Sequence, residues 1–257
     1  DAYGNTVNLS TSTDSNGNYS FGDLSPSSGA GYTVTQTQPA GFVNGPVAPP
    51  SSGGSAPSAG GTYAGGGFAG NSSYGAVVLA AGVAATNYNF PEVAVGSLAG
   101  HVYVDLNANG TRDAGTDLPI SGATVRLLNA GTGAEVARTT TGADGSYAFT
   151  QLDPFTAYTL EEPLPASPAG LRNGPVNPGL LNGAACASGC TAQPDTPAAG
   201  TDRIAAIDLS AGAAGTGFNF GEVLTVPVSG TVYIDRDRNG TLGAGDGGLA
   251  AVTVRLV

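Results

Sequence analysis

The stretch VYVDLNANGT at residues 102–111 decides the fold, and it returns as VYIDRDRNGT at residues 232–241. Each copy begins with alternating apolar residues, a pattern typical of a strand with one buried face. Each then runs into an Asp-x-Asn/Asp-x-Asn-Gly sequence. Side-chain oxygens at every second position, followed by a Gly that permits a sharp turn, suit a hard cation such as Ca²⁺. The stretch therefore predicts the first strand and the calcium loop of a small β-sandwich domain.

The candidate calcium ligands are carboxylate and amide oxygens, together with the carbonyl of one Thr in each loop. In the first loop they are Asp105, Asn107, Asn109, Thr111, Asp113 and Asp117, and in the second Asp235, Asp237, Asn239, Thr241 and Asp246. Asp246 stands at position 12 of its loop and Asp117 at position 13, so the first loop needs one bulged residue. Neither loop has the Glu that closes a site with two oxygens. An Asx-rich turn without a metal is the alternative.

Further matches define a repeat of nearly 130 residues. Residues 87–93 match 217–223, residues 39–47 match 168–176, and residues 16–21 match 144–149. A fixed period of this kind indicates that the same structural unit occurs more than once.

The two units are out of phase with the numbering of the chain. Residues 96–226 are expected to form a complete β-sandwich, and residues 227–257 match the first strands and calcium loop of the next one. Residues 1–95 match the C-terminal part of a sandwich, which residues 228–257 of an adjacent copy would complete. The alignment passes from residue 257 to residue 1 without a gap, so the chain is expected to be one period of something longer. Either a continuous polypeptide or strand exchange between subunits could join the copies.

Many short strands separated by Gly- and Pro-rich turns favour an all-β fold of tandem Ig-like β-sandwich domains. In the complete unit, strands are predicted near residues 99–105, 123–129, 134–141, 146–150, 157–162, 203–209 and 216–220. Long Gly/Pro-rich insertions are expected near residues 44–73 and 173–200. Such segments bury little and are expected to be loops, with contact between chains as the alternative role.

Charge and hydrophobicity limit the possible binding partners of the chain. The net charge of −11 disfavours nucleic acid. The chain contains no apolar run of 18 residues, so no membrane span is expected in this segment.

Cys186 and Cys190 lie four residues apart in a polar stretch, and a disulfide is favoured over free thiols. A disulfide would fit an oxidising, extracellular setting.

The order of these pieces resembles the B-type repeats of serine-aspartate-repeat (SdrD B-like) surface proteins, within the CnaB-like superfamily. The resemblance rests on GHVYVDLNANG at residues 100–110, DGSYAF at 144–149, PAG at 168–170 and FNFGE at 218–222. It implies an Ig-like sandwich at the bacterial cell surface that serves as a stalk or spacer, often stiffened by Ca²⁺. Some relatives carry a Lys–Asn isopeptide bond. This chain has no Lys and cannot form that bond.

The expected function is therefore structural: a repeat unit of a bacterial extracellular fibre or adhesin stalk. Its partners would be copies of itself, arranged head to tail in a filament that calcium stiffens. The alternative is an adhesin module whose loops bind a carbohydrate or a host protein; the sequence does not identify such a ligand. An enzyme is not expected, because the sequence contains no nucleophile–base pairing, phosphate loop or metal-hydrolase motif.

Overall fold

The computed structural model describes residues 1–46, 62–64, 70–186, 189–193, 200–210 and 212–256. All regular elements in these residues are β-strands, which confirms the all-β fold. The strands are β1 (Tyr32–Gln36), β2 (Phe42–Asn44), β3 (Thr62–Ala64), β4 (Ser72–Val77), β5 (Glu92–Ala94), β6 (Gly96–Val104), β7 (Leu118–Pro119), β8 (Thr124–Asn129), β9 (Glu135–Thr140), β10 (Ser146–Leu152), β11 (Ala157–Pro163), β12 (Leu171–Asn177), β13 (Leu180–Leu181), β14 (Ala184–Ala185), β15 (Thr191–Gln193), β16 (Thr201–Asp208), β17 (Ala214–Thr216), β18 (Asn219–Leu224), β19 (Tyr233–Ile234) and β20 (Gly247–Gly248). None of the described residues forms a helix that could cross a membrane.

Residues 96–226 form a sandwich of two sheets. One sheet has the order β12-β18-β6-β17-β13-β14, with β7 and β10 also paired to β6, and the other has the order β15-β16-β11-β8-β9. Alternate residues of the strands point inward, so that Val102, Val125, Leu160 and Phe220 meet in one core. Burial of each such side chain stabilises the fold by about 1.5–3 kcal/mol.

The first and last strands of this sandwich, β6 and β18, lie side by side and run parallel. They approach closely at Gly100, where a Cβ atom would lie 1.7 Å from the carbonyl oxygen of Phe218. The Tyr147 hydroxyl donates a hydrogen bond of 2.6 Å to the same carbonyl. Only glycine can occupy position 100 with the strands in this arrangement.

The remaining residues repeat parts of this sandwich with the same pairing. In residues 1–95, β1 pairs with β4 and β2 with β5. The pairing of Asn44 with Glu92 repeats that of Asn173 with Glu222. In residues 227–256, β19 pairs with β20 in the register of β6 and β7. The repeat seen in the sequence is therefore also a repeat of strand pairing.

All seven strands predicted in the complete unit are present, although the last is divided into β17 and β18. The second insertion begins later than the sequence predicts. Residues 171–177 form β12, which pairs with β18 and belongs to the sandwich. Pairing with a buried strand outweighs the poor strand propensity of the Asn-Gly-Pro sequence at residues 173–175. Of the first insertion, residues 47–61 and 65–69 lie outside the described residues.

Candidate metal centre

The two Asp-rich loops follow equivalent strands and share one backbone conformation. Ala108 and Arg238 have φ angles of 55° and 59°, a left-handed conformation that is uncommon without glycine. Gly110 and Gly240 follow with φ angles of 80° and 77°. Two left-handed residues in each loop turn the chain sharply, so that side chains from the start and end of the loop can meet.

In the second loop, the structure gathers three carboxylates. One oxygen from each of Asp235, Asp237 and Asp246 lies within 4.8 Å of the others, and no other set of three or more His, Cys, Asp or Glu side chains in the described residues meets this condition. The Gly240 N–H donates to Asp235, and the Arg236 N–H donates to Asp246. These backbone hydrogen bonds lower the pKa of both carboxyl groups. Three carboxylate oxygens this close together could hold a divalent metal ion.

Asn239 and Thr241, the other predicted ligands of this loop, hold its turn together. The Asn239 side-chain oxygen accepts hydrogen bonds from the N–H and the hydroxyl of Thr241, each 2.7 Å long. The Asn239 amide nitrogen donates to Asp237 at 2.7 Å. These contacts fix the position of the Asp237 carboxylate.

The first loop is arranged differently. Asp113 stands where the second loop has Gly243, and its carboxylate accepts hydrogen bonds from the side-chain amides of Asn107 and Asn109. Those bonds lower the pKa of Asp113. Asp105, Asp113 and Asp117 are all described, and they do not form a group within 4.8 Å.

Other contacts of the first loop repeat those of the second. Asp105 accepts from the Gly110 N–H, as Asp235 does from Gly240. Asp117 accepts from the Leu106 N–H at 3.1 Å, as Asp246 does from Arg236 at 3.0 Å. Thr111 donates to Asn109. Asp117 thus takes the place of Asp246 despite the extra residue in its loop.

The sequence reasoning missed a group of buried acids inside the complete sandwich. Glu162, Asp202 and Glu222 are fully buried, and the Asn173 amide donates to Asp202 at 3.0 Å. Burial, followed by the charges of Glu222 and Asp202, raises the pKa of Glu162. Burial and the charge of Asp202 likewise raise the pKa of Glu222. The arrangement favours the protonated forms of Glu162 and Glu222 at neutral pH.

Consecutive residues of a strand point to opposite faces, and this signal could have revealed Glu162. Glu161 lies on the outer face of β11, where it pairs with Arg126 at 2.8 Å and with Arg203 at 2.7 Å. Glu162 therefore points inward, away from both guanidinium groups. One of two adjacent glutamates in a predicted strand had to face the core.

Cys186 and Cys190 are joined in a disulfide, with Cα atoms 5.6 Å apart. Cys190 also packs against the core of the sandwich. The bridge therefore links Cys186 to a residue that contacts the core of the domain.

The comparisons with known proteins identify one part of the chain. No curated protein matches it. The model of the SdrD B-like domain family matches residues 96–193, a segment that runs from β6 through the first loop to β15. The resemblance expected from the sequence is thereby confirmed for residues 96–193, the segment that the SdrD B-like family model matches.

Proposed function

We propose that the chain is a non-catalytic structural repeat unit of a bacterial extracellular fibre or adhesin stalk. Copies are arranged head to tail, and residues 228–257 of one copy complete the sandwich that residues 1–95 of the next begin. Calcium in the two loops stiffens the array. The observation that carries the proposal is the distribution of strands in the incomplete units.

In the described part of residues 1–95, strands form only where both partners lie within that segment. β1 with β4 and β2 with β5 are present. Residues 7–12 and 18–24 match β9 and β10 in the repeat alignment, yet they form no strand. In the complete unit, β9 pairs with β8 and β10 pairs with β6. The counterparts of β8 and β6 belong to residues 226–257, which supports completion by another copy.

Residues 250–256 provide a second observation, because they expose apolar side chains. Val252, Val254 and Leu256 are 47%, 75% and 89% exposed. Their counterparts Ala123, Val125 and Leu127 are buried in the core of the complete sandwich. An apolar segment that leaves its side chains in water is stabilised by a partner sheet that covers them.

The topology of the complete unit suits a stalk. Because β6 and β18 are parallel neighbours, the chain enters at one end of the pair and leaves at the other. Tension between the two ends loads their hydrogen bonds in shear, so that several bonds must break together. Such a connection resists extension without the isopeptide bond that a chain lacking Lys cannot form.

Three copies joined directly from residue 257 to residue 1 test the proposal. Electron microscopy should show a rod that lengthens by a constant step relative to two copies. Thermal melting should occur at a higher temperature in calcium than in chelator, because a ligand of the folded state stabilises it by mass action. Flexible strings of separate globules, or identical melting in both buffers, would contradict the proposal.

A further inference from the structure

We propose that residues 1–95 contain a preformed binding site for residues 228–235 of a second copy, and that Gly230 is the residue that admits this strand. The inference rests on the proposed completion of one copy by another. It adds the register of the contact and the residue that determines specificity.

The complete sandwich shows how tight this contact is. Gly100 of β6 lies against Phe218, and a Cβ there would be 1.7 Å from the Phe218 carbonyl oxygen and 3.0 Å from the Tyr147 hydroxyl. The Tyr147 hydroxyl donates to that carbonyl. The obstacle to a side chain is therefore largely backbone, which cannot swing aside.

Residues 1–95 contain the same tyrosine–carbonyl pair. The Tyr19 hydroxyl donates to the Tyr88 carbonyl oxygen at 2.6 Å, the distance found between Tyr147 and Phe218. Tyr19 packs in a cluster with Tyr74, Tyr88 and Phe90. These aromatic side chains form a surface in residues 1–95 without a strand equivalent to β6 beside them. Among the described strands, the counterpart of β6 is β19, which pairs only with β20.

The aromatic surface is also incompletely covered. Phe90 is half-buried, whereas its counterpart Phe220 is fully buried beside β6. Tyr19 is likewise half-buried, whereas Tyr147 is buried. A strand equivalent to β6 would cover both side chains.

Gly230 holds the position of Gly100 in the repeat alignment. A Cβ built on Gly230 has no atom within 4 Å, and its φ lies outside the left-handed region that favours glycine. Its own chain therefore gives neither a steric nor a conformational reason for glycine. Contact with the Tyr88 carbonyl of a second copy supplies the steric reason.

If Gly230 lies against the Tyr88 carbonyl of a second copy, the pairing of the residues that follow Gly230 is also determined. The His101 N–H donates to the Asn219 side chain at 2.9 Å, so the Thr231 N–H is expected to meet the exposed Asn89 side chain. The Asp105 N–H donates to the Glu222 carbonyl at 2.8 Å. By the same correspondence, the Asp235 N–H meets the carbonyl of Glu92. The calcium loop would then begin at the edge of the completed sheet.

A labelled peptide of residues 226–257 tests the contact when it is added to the full 257-residue chain in excess calcium. Fluorescence anisotropy should show binding of the unchanged peptide. The Gly230→Ala peptide should bind at least about tenfold more weakly, because a tenfold loss corresponds to about 1.4 kcal/mol and a backbone clash of this kind costs at least that much. Gly248→Ala is the matched control, since Pro119 already carries a Cβ at the corresponding position. It should bind within about twofold of the unchanged peptide.

Equal affinity of the Gly230→Ala and unchanged peptides would overturn the proposal, and so would an unchanged peptide that does not bind. The stalk is judged separately by the length and melting of joined copies. Rigid rods together with equal peptide affinities would retain the stalk and discard the Gly230 contact. Weaker binding of the Gly230→Ala peptide, together with joined copies that form no rods, would retain the Gly230 contact and discard the stalk.

Discussion

Glu161 and Glu162 are adjacent residues with opposite surroundings, and they show how one position on a strand sets the chemistry of a carboxyl group. Glu161 lies on the outer face between Arg126 and Arg203. Glu162 is fully buried with Glu222 and Asp202, and in the described part of the chain no cationic side chain pairs with it. A buried carboxyl group without a counter-charge holds its proton, since burial of the charge is costly.

We expect Glu162→Gln to reduce the pH dependence of stability. The raised pKa of Glu162 means that the folded state keeps a proton that the unfolded state loses above its ordinary value of 4.5. The free energy of unfolding therefore falls as pH rises from about 4.5 through neutrality, by about 1.4 kcal/mol per pH unit for one proton. Gln carries no such proton, so the variant should lose the contribution of Glu162 to the slope, while Glu222 keeps its own, and should gain stability at pH 8 relative to the unchanged protein. Urea unfolding between pH 5 and pH 8 measures the difference.

Glu161→Gln is the matched control for this prediction. It removes two ion pairs on the outer face and is expected to lower stability by about 1 kcal/mol, a small value because Arg126 and Arg203 are partly exposed. The two neighbouring substitutions should thus act in opposite directions at pH 8. Equal slopes for Glu162→Gln and the unchanged protein would show that Glu162 does not hold the proton.

At the scale of the element, β6 depends on its close approach to the segment before β18. Gly100→Ala would place a Cβ against the Phe218 carbonyl and force the parallel strands apart. We expect a loss of about 3 kcal/mol in the free energy of unfolding of residues 96–226. Gly131→Ala is the control, since its Cβ would meet only the Asn129 side chain at an ordinary 3.4 Å. Urea unfolding compares the two, and similar midpoints would contradict the proposed constraint.

The loop elements lead to a prediction about calcium affinity. Asp237→Asn gives the second loop the residue that the first has as Asn107, and it removes one of the three gathered carboxylates. We expect calcium to bind this loop about tenfold more weakly, because one negative charge beside the cation is lost. Calorimetric titration of the full chain with calcium measures this affinity. Asp208→Asn, outside both loops, should leave the titration unchanged; a similar effect of both substitutions would argue against the site.

Sequence patterns predicted the strands that alternate clearly, such as β8, and the positions of both loops. They failed at β12, where Arg172, Asn173 and Pro175 give no alternating pattern and only pairing with β18 makes a strand. Nor did the spacing predict that the Asn107 and Asn109 amides would turn toward Asp113. These outcomes depend on contacts between distant residues or on side-chain orientation, which a local pattern does not contain.

At the scale of the whole molecule, local order follows the location of the pairing partners. The complete unit has its strands in two sheets, whereas residues 7–12 and 18–24 lack the strands β9 and β10 that their sequence matches. The apolar residues that would cover them are exposed at the other end of the chain. Because residues 7–12 and 18–24 align with β9 and β10, we attribute the difference to the partners that are available to each segment.

Direct joining of residue 257 to a second copy of residues 1–95 should therefore order those two segments. In that extended chain, one copy of residues 7–12 and 18–24 has the counterparts of β8 and β6 before it, and the other copy does not. Amide hydrogen exchange should then give two equal populations for peptides from these segments, one slow and one fast, because paired strand amides exchange only after opening. Peptides from β1 serve as the control and should be protected in both copies. The 257-residue chain, measured below the concentration at which it associates, should show only the fast population for residues 7–12 and 18–24. A single fast population in the extended chain would mean that the two halves do not complete one sandwich.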